Sequence, residues 1–132
     1  MLATRARSLA VVDDNSGALF ALRFLLELEG YRVEAFRSGS EFLEAVRAEL
    51  PDCLVLDQNM PAMTGLDVAD RLRRSGTVLP IVMITATPSA TLTAKARAAG
   101  IHRVIEKPIF GSELTEAIDL CLTKGDCRSR SQ

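Results

Sequence analysis

The sequence predicts an α/β fold in which helices cover both faces of a parallel five-stranded sheet. Short apolar runs of strand length alternate along the 132-residue chain with longer segments whose apolar residues recur at helical spacing. Such alternation is typical of parallel sheets with helical crossovers. Three of the apolar runs also lack the polar–apolar alternation of a half-exposed strand, which indicates strands buried on both faces.

The first strand and the first helix are predicted from Leu9–Val12 and the residues that follow. This run is wholly apolar and ends in two carboxylates, Asp13 and Asp14. Asn15 and Ser16 then offer side-chain oxygens that can cap a helix. The apolar positions of that helix recur at helical spacing: Leu19, Leu22, Leu25 and Leu26.

The second strand is predicted nearer an edge of the sheet, because residues 31–36 alternate polar and apolar. Ser38 and Glu41 have the spacing of a capping box at the start of a second helix. Pro51 separates that helix from the next strand. The inner face of the second helix is expected to carry four apolar residues: Phe42, Leu43, Val46 and Leu50.

The third strand is the run in which four apolar residues, Cys53–Leu56, lead directly into Asp57. A strand of this kind delivers Asp57 to its own C-terminal end, the edge at which ligands bind in open α/β sheets. A polar loop then runs to Gly65. The third helix is expected to end near Ser75, with an apolar stripe formed by Leu66, Ala69 and Leu72.

The fourth strand, Ile81–Thr85, ends in a hydroxyl rather than a carboxylate. Thr87 and Pro88 form a good N-cap and first-turn pair for a fourth helix. This helix is rich in alanine up to Gly100 and contains a single large apolar residue, Leu92. We therefore expect it to be weakly anchored to the sheet.

The fifth strand is the short run Val104–Glu106, followed at once by Lys107. The last helix has an apolar stripe formed by Leu114, Ala117, Ile118 and Cys121. With the three wholly apolar runs in the middle of the sheet, right-handed crossovers favour the flavodoxin-like strand order 2-1-3-4-5. One domain is predicted over residues 8–124, with tails at 1–7 and 125–132.

Composition excludes several classes of function. The net charge of −1 offers no electrostatic basis for nucleic-acid or membrane binding. No apolar run approaches the roughly 20 residues of a membrane helix, and the basic N-terminus lacks the apolar segment of a signal peptide, so the cytoplasm is the expected location. Cysteines at 53, 121 and 127 are odd in number and not closely paired, which argues against a disulfide framework or a zinc site. Cys53 and Cys121 are expected to be core thiols.

Polar groups gather at one edge of the predicted sheet: Asp13, Asp14, Asp57, Thr85 and Lys107. Three neighbouring carboxylates repel one another unless a cation neutralises them. Mg²⁺ suits such a site because it takes oxygen ligands and keeps waters that a phosphate can replace. A carboxylate can itself be the nucleophile that accepts a phosphoryl group.

From about Leu9 to Leu122 the chain resembles the receiver domain of bacterial two-component response regulators. Four features carry the resemblance, in order along the chain. They are the pair Asp13–Asp14 after an apolar strand, Asp57 followed by Met60–Pro61 and Gly65, Thr85–Ala86 closing a strand, and Lys107–Pro108. Each is weak alone, but the ordered set at strand ends is highly specific.

The resemblance implies that Asp57 accepts a phosphoryl group from a phosphohistidine of a sensor histidine kinase or a phosphotransfer protein. Asp14, Asp57 and the backbone carbonyl of Asn59 would ligate Mg²⁺, while Asp13 would act mostly through water. Lys107 would pair with the phosphoryl oxygens, and Thr85 would follow them as a conformational switch. Such a domain catalyses its own phosphorylation and dephosphorylation to control partner binding, and is not a metabolic enzyme.

Two positions depart from the family pattern. The second switch position usually holds Tyr or Phe, whereas this chain has Val104. Phe more often follows the Lys-Pro pair directly, whereas Ile109 intervenes here. A β-branched valine has little rotamer freedom. We therefore expect the response to pass through backbone shifts in the fourth helix and the loop before it.

Other functions fit the sequence less well. A haloacid-dehalogenase-type phosphohydrolase also uses a strand-end aspartate with Mg²⁺, but it needs a second aspartate two residues later, where this chain has Asn59. A degenerate receiver acting as a constitutive protein-binding domain would not need the complete set of acidic, hydroxyl and lysine residues. A nucleotide-binding fold would show a Walker loop or a glycine-rich fingerprint, and neither is present.

Overall fold

The computed structural model describes residues 6–130, and side chains for residues 6–123. Its strands are β1 (Ser8–Val12), β2 (Arg32–Phe36), β3 (Cys53–Asp57), β4 (Ile81–Thr85) and β5 (Arg103–Glu106). Its helices are α1 (Ser16–Leu28), α2 (Gly39–Val46), α3 (Gly65–Arg74), α4 (Ala90–Ala98) and α5 (Gly111–Arg130).

The five strands form one parallel sheet in the order β2-β1-β3-β4-β5, which confirms the predicted fold and strand order. Successive residues of a strand point to opposite faces, so each central strand contributes to two apolar clusters. One cluster lies under α1 and α5 and includes Val11 and Val55. The other lies under α2, α3 and α4 and includes Val12 and Leu56. The sheet is therefore covered on both faces, and its strand ends are left for polar residues.

The second helix is shorter than the sequence predicts. The Ser38 hydroxyl accepts a hydrogen bond from the Glu41 amide at 3.1 Å, as expected for an N-cap. The Glu41 carboxylate, however, accepts from the Arg37 amide at 3.2 Å, so only half of the capping box forms. Because α2 ends at Val46, Leu50 lies beyond the helix and is 48% exposed. The prediction that Leu50 belongs to the inner face is wrong.

The fourth helix begins two residues later than the sequence suggests. Ser89 is its N-cap and accepts a hydrogen bond from the Leu92 amide at 3.0 Å. The prediction that Thr87 is the cap is wrong, because its hydroxyl instead accepts a hydrogen bond from the side chain of Asn59. The buried residues of α4 are Leu92 and Ala96, which matches the weak anchoring expected of this helix.

The backbone of α5 is helical to Arg130 and so continues past residue 124, where the sequence predicts the domain to end. Cys53 and Cys121 are buried and not joined in a disulfide, as expected, whereas the Cys127 side chain lies outside the described part. Within residues 6–130, no helix is both long enough and apolar enough to cross a membrane.

Candidate functional site

Three carboxylates meet at the C-terminal edge of the sheet. Asp57 is the last residue of the central strand β3, and Asp13 follows β1 directly. Both are almost fully buried, since Asp57 is 2% exposed and Asp13 is 1% exposed, while Asp14 is the most exposed of the three. One carboxylate oxygen from each residue lies within 4.8 Å of the others. This arrangement can hold a metal ion.

Lys107 brings a positive charge to the same cluster. Its Nζ lies 3.1 Å from Asp57 Oδ1 and 3.8 Å from Asp13 Oδ2. The Lys107 amide also donates to the Thr85 carbonyl at 2.8 Å, which fixes the backbone of the loop beside β4. The ammonium is therefore placed between two buried carboxylates rather than in solvent.

The charges at this edge do not balance, since three carboxylates face one ammonium. Burial raises the pKa of Asp13 above its ordinary value, and the nearby charges of Asp57 and Asp14 raise it further. The Asn15 amide, which donates to Asp13 Oδ1 at 2.9 Å, and Lys107 act in the opposite direction. Desolvation and repulsion are the two costs that a bound cation relieves.

Two of the buried oxygens support a cation most directly. Asp13 Oδ2 and Asp57 Oδ1 accept no hydrogen bond within the described part of the chain, and the charge nearest to both is the single ammonium of Lys107 that they share. A buried carboxylate oxygen without a hydrogen bond is costly. Hard oxygen ligands in this number are the donors that Mg²⁺ takes, so the residues present fit that ion.

Thr85 is fully buried beside the cluster, but its hydroxyl is directed at Asn59. It donates to Asn59 Oδ1 at 3.2 Å and accepts from the Thr87 amide at 3.0 Å. Asn59 Oδ1 also accepts from the Ala86 amide at 2.8 Å, and Asn59 Nδ2 donates to the Thr87 hydroxyl at 3.1 Å. The Asn59 side chain thus joins the loop after β3 to the loop after β4.

The sequence did not reveal this use of the Asn59 side chain. The resemblance assigned a role only to its backbone carbonyl, and a polar loop residue gives no local signal for partners 26 to 28 positions away. Gln58 was missed for the same reason: its Oε1 accepts a hydrogen bond from the Leu66 amide at 2.8 Å and holds the start of α3.

Gly65 allows α3 to begin directly against the end of β3. A Cβ at this position would lie 2.9 Å from the Asp57 carbonyl oxygen and 3.0 Å from Gln58 Cα. Both neighbours are backbone atoms that cannot move aside cheaply. The absence of a side chain at residue 65 therefore sets how closely α3 approaches the loop that carries the site.

Val104 lies on β5 opposite Met83 of β4 and is partly buried against the cluster that also contains Leu92 and Ala96 of α4. The Val104 side chain therefore lies on the face of β5 that α4 covers. That residue 104 is the second switch position stays a prediction from the resemblance, and the valine there has no aromatic ring.

Comparison with protein-family models shows which family the chain is part of. The family model for the response regulator receiver domain matches residues 9–119, which include all the strand-end residues described above. The chain belongs to the response regulator receiver family. This confirms the resemblance, and the receiver domain is one of two-component signalling systems.

Relatives of known name agree with the assignment. The response regulator protein TodT of Pseudomonas putida is 36% identical over 121 residues, which are 92% of this chain and 53% of TodT. The response regulator MprA of Mycobacterium leprae is 38% identical over 122 residues, 91% of this chain and 54% of MprA. The solved response regulator StyR is 35% identical with a TM-score of 0.87, covering 96% of this chain and 64% of StyR. This receiver chain spans about half the length of TodT and MprA.

Proposed function

We propose that this receiver domain takes a phosphoryl group onto Asp57 from a phosphohistidine of a sensor histidine kinase or a phosphotransfer protein, and that the modified domain controls the binding of a partner in the cytoplasm. The observation that carries the proposal is the Asp57 carboxylate, buried at the end of the central strand with Lys107 Nζ 3.1 Å away. A carboxylate held in this way is a nucleophile already paired with the charge that its product needs.

The transfer forms a bond between an Asp57 oxygen and phosphorus and breaks the bond between phosphorus and the imidazole nitrogen. The nitrogen leaves with the electron pair, so the donor histidine is restored. Such a transfer depends on positioning and charge neutralisation more than on covalent assistance. The Lys107 ammonium, already between Asp57 and Asp13, pairs with an oxygen of the incoming group.

Asp14, Asp57 and the Asn59 carbonyl would hold Mg²⁺ directly, with Asp13 acting mainly through water. When bound, the ion would supply the remaining positive charge that the phosphoryl oxygens require. The support for this set is the excess of carboxylates over ammonium groups among the described residues, because the two buried oxygens, Asp13 Oδ2 and Asp57 Oδ1, share the one ammonium of Lys107.

Thr85 would report the modification. Its hydroxyl now donates to Asn59 Oδ1, whereas a phosphoryl group on Asp57 adds a net charge of about −1 and new acceptor oxygens. When the hydroxyl turns toward those oxygens, the Asn59 side chain loses its hydrogen bond to the end of β4 and keeps those to Ala86 and Thr87 in the loop that follows. The loop that leads into α4 is therefore the first segment to respond.

The test is phosphorylation by acetyl phosphate in the presence of Mg²⁺, followed by intact-protein mass spectrometry. We expect one added phosphoryl group on the wild type, none on Asp57→Asn and strong suppression by EDTA. Asp70→Asn is the matched control, because Asp70 is an exposed aspartate on α3 and its loss should leave the reaction unchanged. Equal phosphorylation of Asp57→Asn at another residue would refute the assignment.

The metal is tested separately through stability. Because Mg²⁺ binds the folded site, millimolar Mg²⁺ should raise the Tm by mass action. Asp14→Ala should reduce that rise while stabilising the metal-free protein, since it removes one of three mutually repelling carboxylates. Differential scanning fluorimetry with and without Mg²⁺ measures both. A wild-type Tm that does not respond to Mg²⁺ would count against a shared carboxylate site.

A further inference from the structure

The guanidinium of Arg73 joins the C-terminal ends of α3 and α4, at the edge of the sheet opposite the candidate site. Arg73 lies in the last turn of α3. Its nitrogens donate to four backbone carbonyls: Ala99 at 2.9 Å, Gly100 at 3.0 Å, Thr77 at 3.1 Å and Leu79 at 3.2 Å. Two of these carbonyls belong to the C-terminal end of α4, and two belong to the loop that leads from α3 into β4.

The shape of the backbone around Gly100 suits this contact. A Cβ at Gly100 would lie 2.9 Å from Arg73 Nε, so the guanidinium lies directly against the glycine, whose φ is +78°. A positive charge at a helix C-terminus also complements the helix dipole. A lysine offers a point charge and not a planar fork, so it cannot reproduce several directed hydrogen bonds at once.

The segment after Gly100 adds to the attachment. Ile101 is buried, and its amide donates to the Ala96 carbonyl at 2.9 Å. The His102 amide donates to the Ile81 carbonyl at the start of β4, also at 2.9 Å. The C-terminal end of α4 is therefore held by the core, by the sheet and by Arg73 together.

The opposite end of α4 is held differently. Residues 86–91 are all exposed. Their hydrogen bonds to the rest of the domain include one from the Ala86 amide to Asn59 Oδ1 and one from Asn59 Nδ2 to the Thr87 hydroxyl. The Ala86 amide shares its acceptor, Asn59 Oδ1, with the Thr85 hydroxyl. An event that moves the Thr85 hydroxyl thus acts on the end of α4 that is least attached.

We propose that Arg73 is a positioning residue that fixes the C-terminal end of α4, so that a change at Thr85 moves the loop 86–91 and the first turn of the helix while its last turn stays in place. This regulation rests on the proposed function, because Asp57 phosphorylation supplies the change at Thr85. Arg73 itself does not touch the acceptor. It determines which part of the surface around α4 is altered for a partner.

The resting protein tests the anchor without any phosphorylation. Arg73→Lys should accelerate hydrogen exchange at the amides of Ala99, Gly100 and Ile101 by about tenfold or more, since charge-assisted hydrogen bonds to their segment are lost. Arg74→Lys is the matched control, because the Arg74 side chain is 79% exposed and pairs only with Asp70 among the contacts of the described part. Unchanged exchange at residues 99–101 in Arg73→Lys would overturn the anchor.

The activated protein tests the consequence. With Mg²⁺ and beryllofluoride, a mimic of the phosphoryl group, the wild type and Arg74→Lys should change exchange within residues 86–92. In Arg73→Lys the change should spread into residues 93–101, while phosphorylation of Asp57 by acetyl phosphate stays at the wild-type level. A change that remains confined to 86–92 in Arg73→Lys would overturn the proposal. If no protein responds to beryllofluoride, the proposed function fails, and the resting-state result still decides the anchor.

A measurement on the wild type covers the case in which Arg73→Lys does not fold. A hydrogen-bonded Nε–H exchanges slowly and gives a distinct nitrogen–proton signal in NMR spectra. The Arg73 Nε–H, which donates to the Ala99 carbonyl, should remain protected both before and after addition of beryllofluoride. Loss of that protection on activation would show that the end of α4 moves, and would refute the proposal.

Discussion

The helices α3 and α4 each follow a strand that ends at the site, yet they are attached to the domain in different ways. At the start of α3, Thr64 and Asp67 form a complete capping box. The helix buries four residues: Gly65, Val68, Ala69 and Leu72. In contrast, α4 has a single capping hydroxyl from Ser89 and buries only Leu92 and Ala96.

This difference separates two tasks. The start of α3 is packed against the Asp57 carbonyl at Gly65 and so holds the loop after β3 in place. The start of α4 is exposed and is linked to the site through Asn59 and Thr85. A region with few buried contacts opens at low free-energy cost. The domain therefore has a firmly packed helix beside Asp57 and a weakly packed helix beside Thr85.

The largest expected effect concerns the cores of the two helices. Leu72→Ala should lower the free energy of unfolding by about 3–5 kcal/mol, because Leu72 is fully enclosed and leaves a cavity. Leu92→Ala should cost about 2 kcal/mol, since α4 can settle onto the smaller residue. Urea unfolding followed by circular dichroism measures both. Equal losses would remove the distinction between the two helices.

A smaller effect is expected at the start of α3. Gly65→Ala should destabilise the domain by about 1–3 kcal/mol, because the new methyl group would press on the backbone of Asp57 and Gln58. Gly17→Ala on α1 is the control, since a Cβ there meets only Asn15 Oδ1 at 3.4 Å and should stabilise the helix by up to about 1 kcal/mol. Gly65→Ala with wild-type stability would show that the start of α3 has room to move.

The smallest effect on stability is expected at Val104. A change at this residue should instead alter how phosphorylation is coupled to movement of β5. Phosphorylation can shift α4 only by a differential interaction with its two arrangements, and valine offers no ring to fill space that Thr85 vacates. Beryllofluoride should therefore change hydrogen exchange in the wild type mainly within residues 86–92, whereas Val104→Tyr should add a change in β5. A wild-type change centred on β5 would contradict this.

The fold and most of the strand-end residues were predictable from the sequence because each depends on local pattern. The apolar runs 9–12, 53–56 and 81–85 are buried strands, and the carboxylates, hydroxyl and lysine at or after strand ends meet at one edge of the sheet. Parallel topology leaves little freedom in where such ends point. Leu50 was misplaced because apolar periodicity continues past the point where α2 ends.

The groups that the domain possesses follow from the sequence alone: three carboxylates, a lysine, a buried hydroxyl and five strands in an order that collects them. How those groups are connected depends on the three-dimensional packing. Thr87 caps no helix because Asn59 takes its hydroxyl, and Arg73 is an anchor because the ends of α3 and α4 present carbonyls to it from positions up to 27 residues away. Hydrogen bonds between distant loops depend on their three-dimensional approach, which local sequence pattern does not encode.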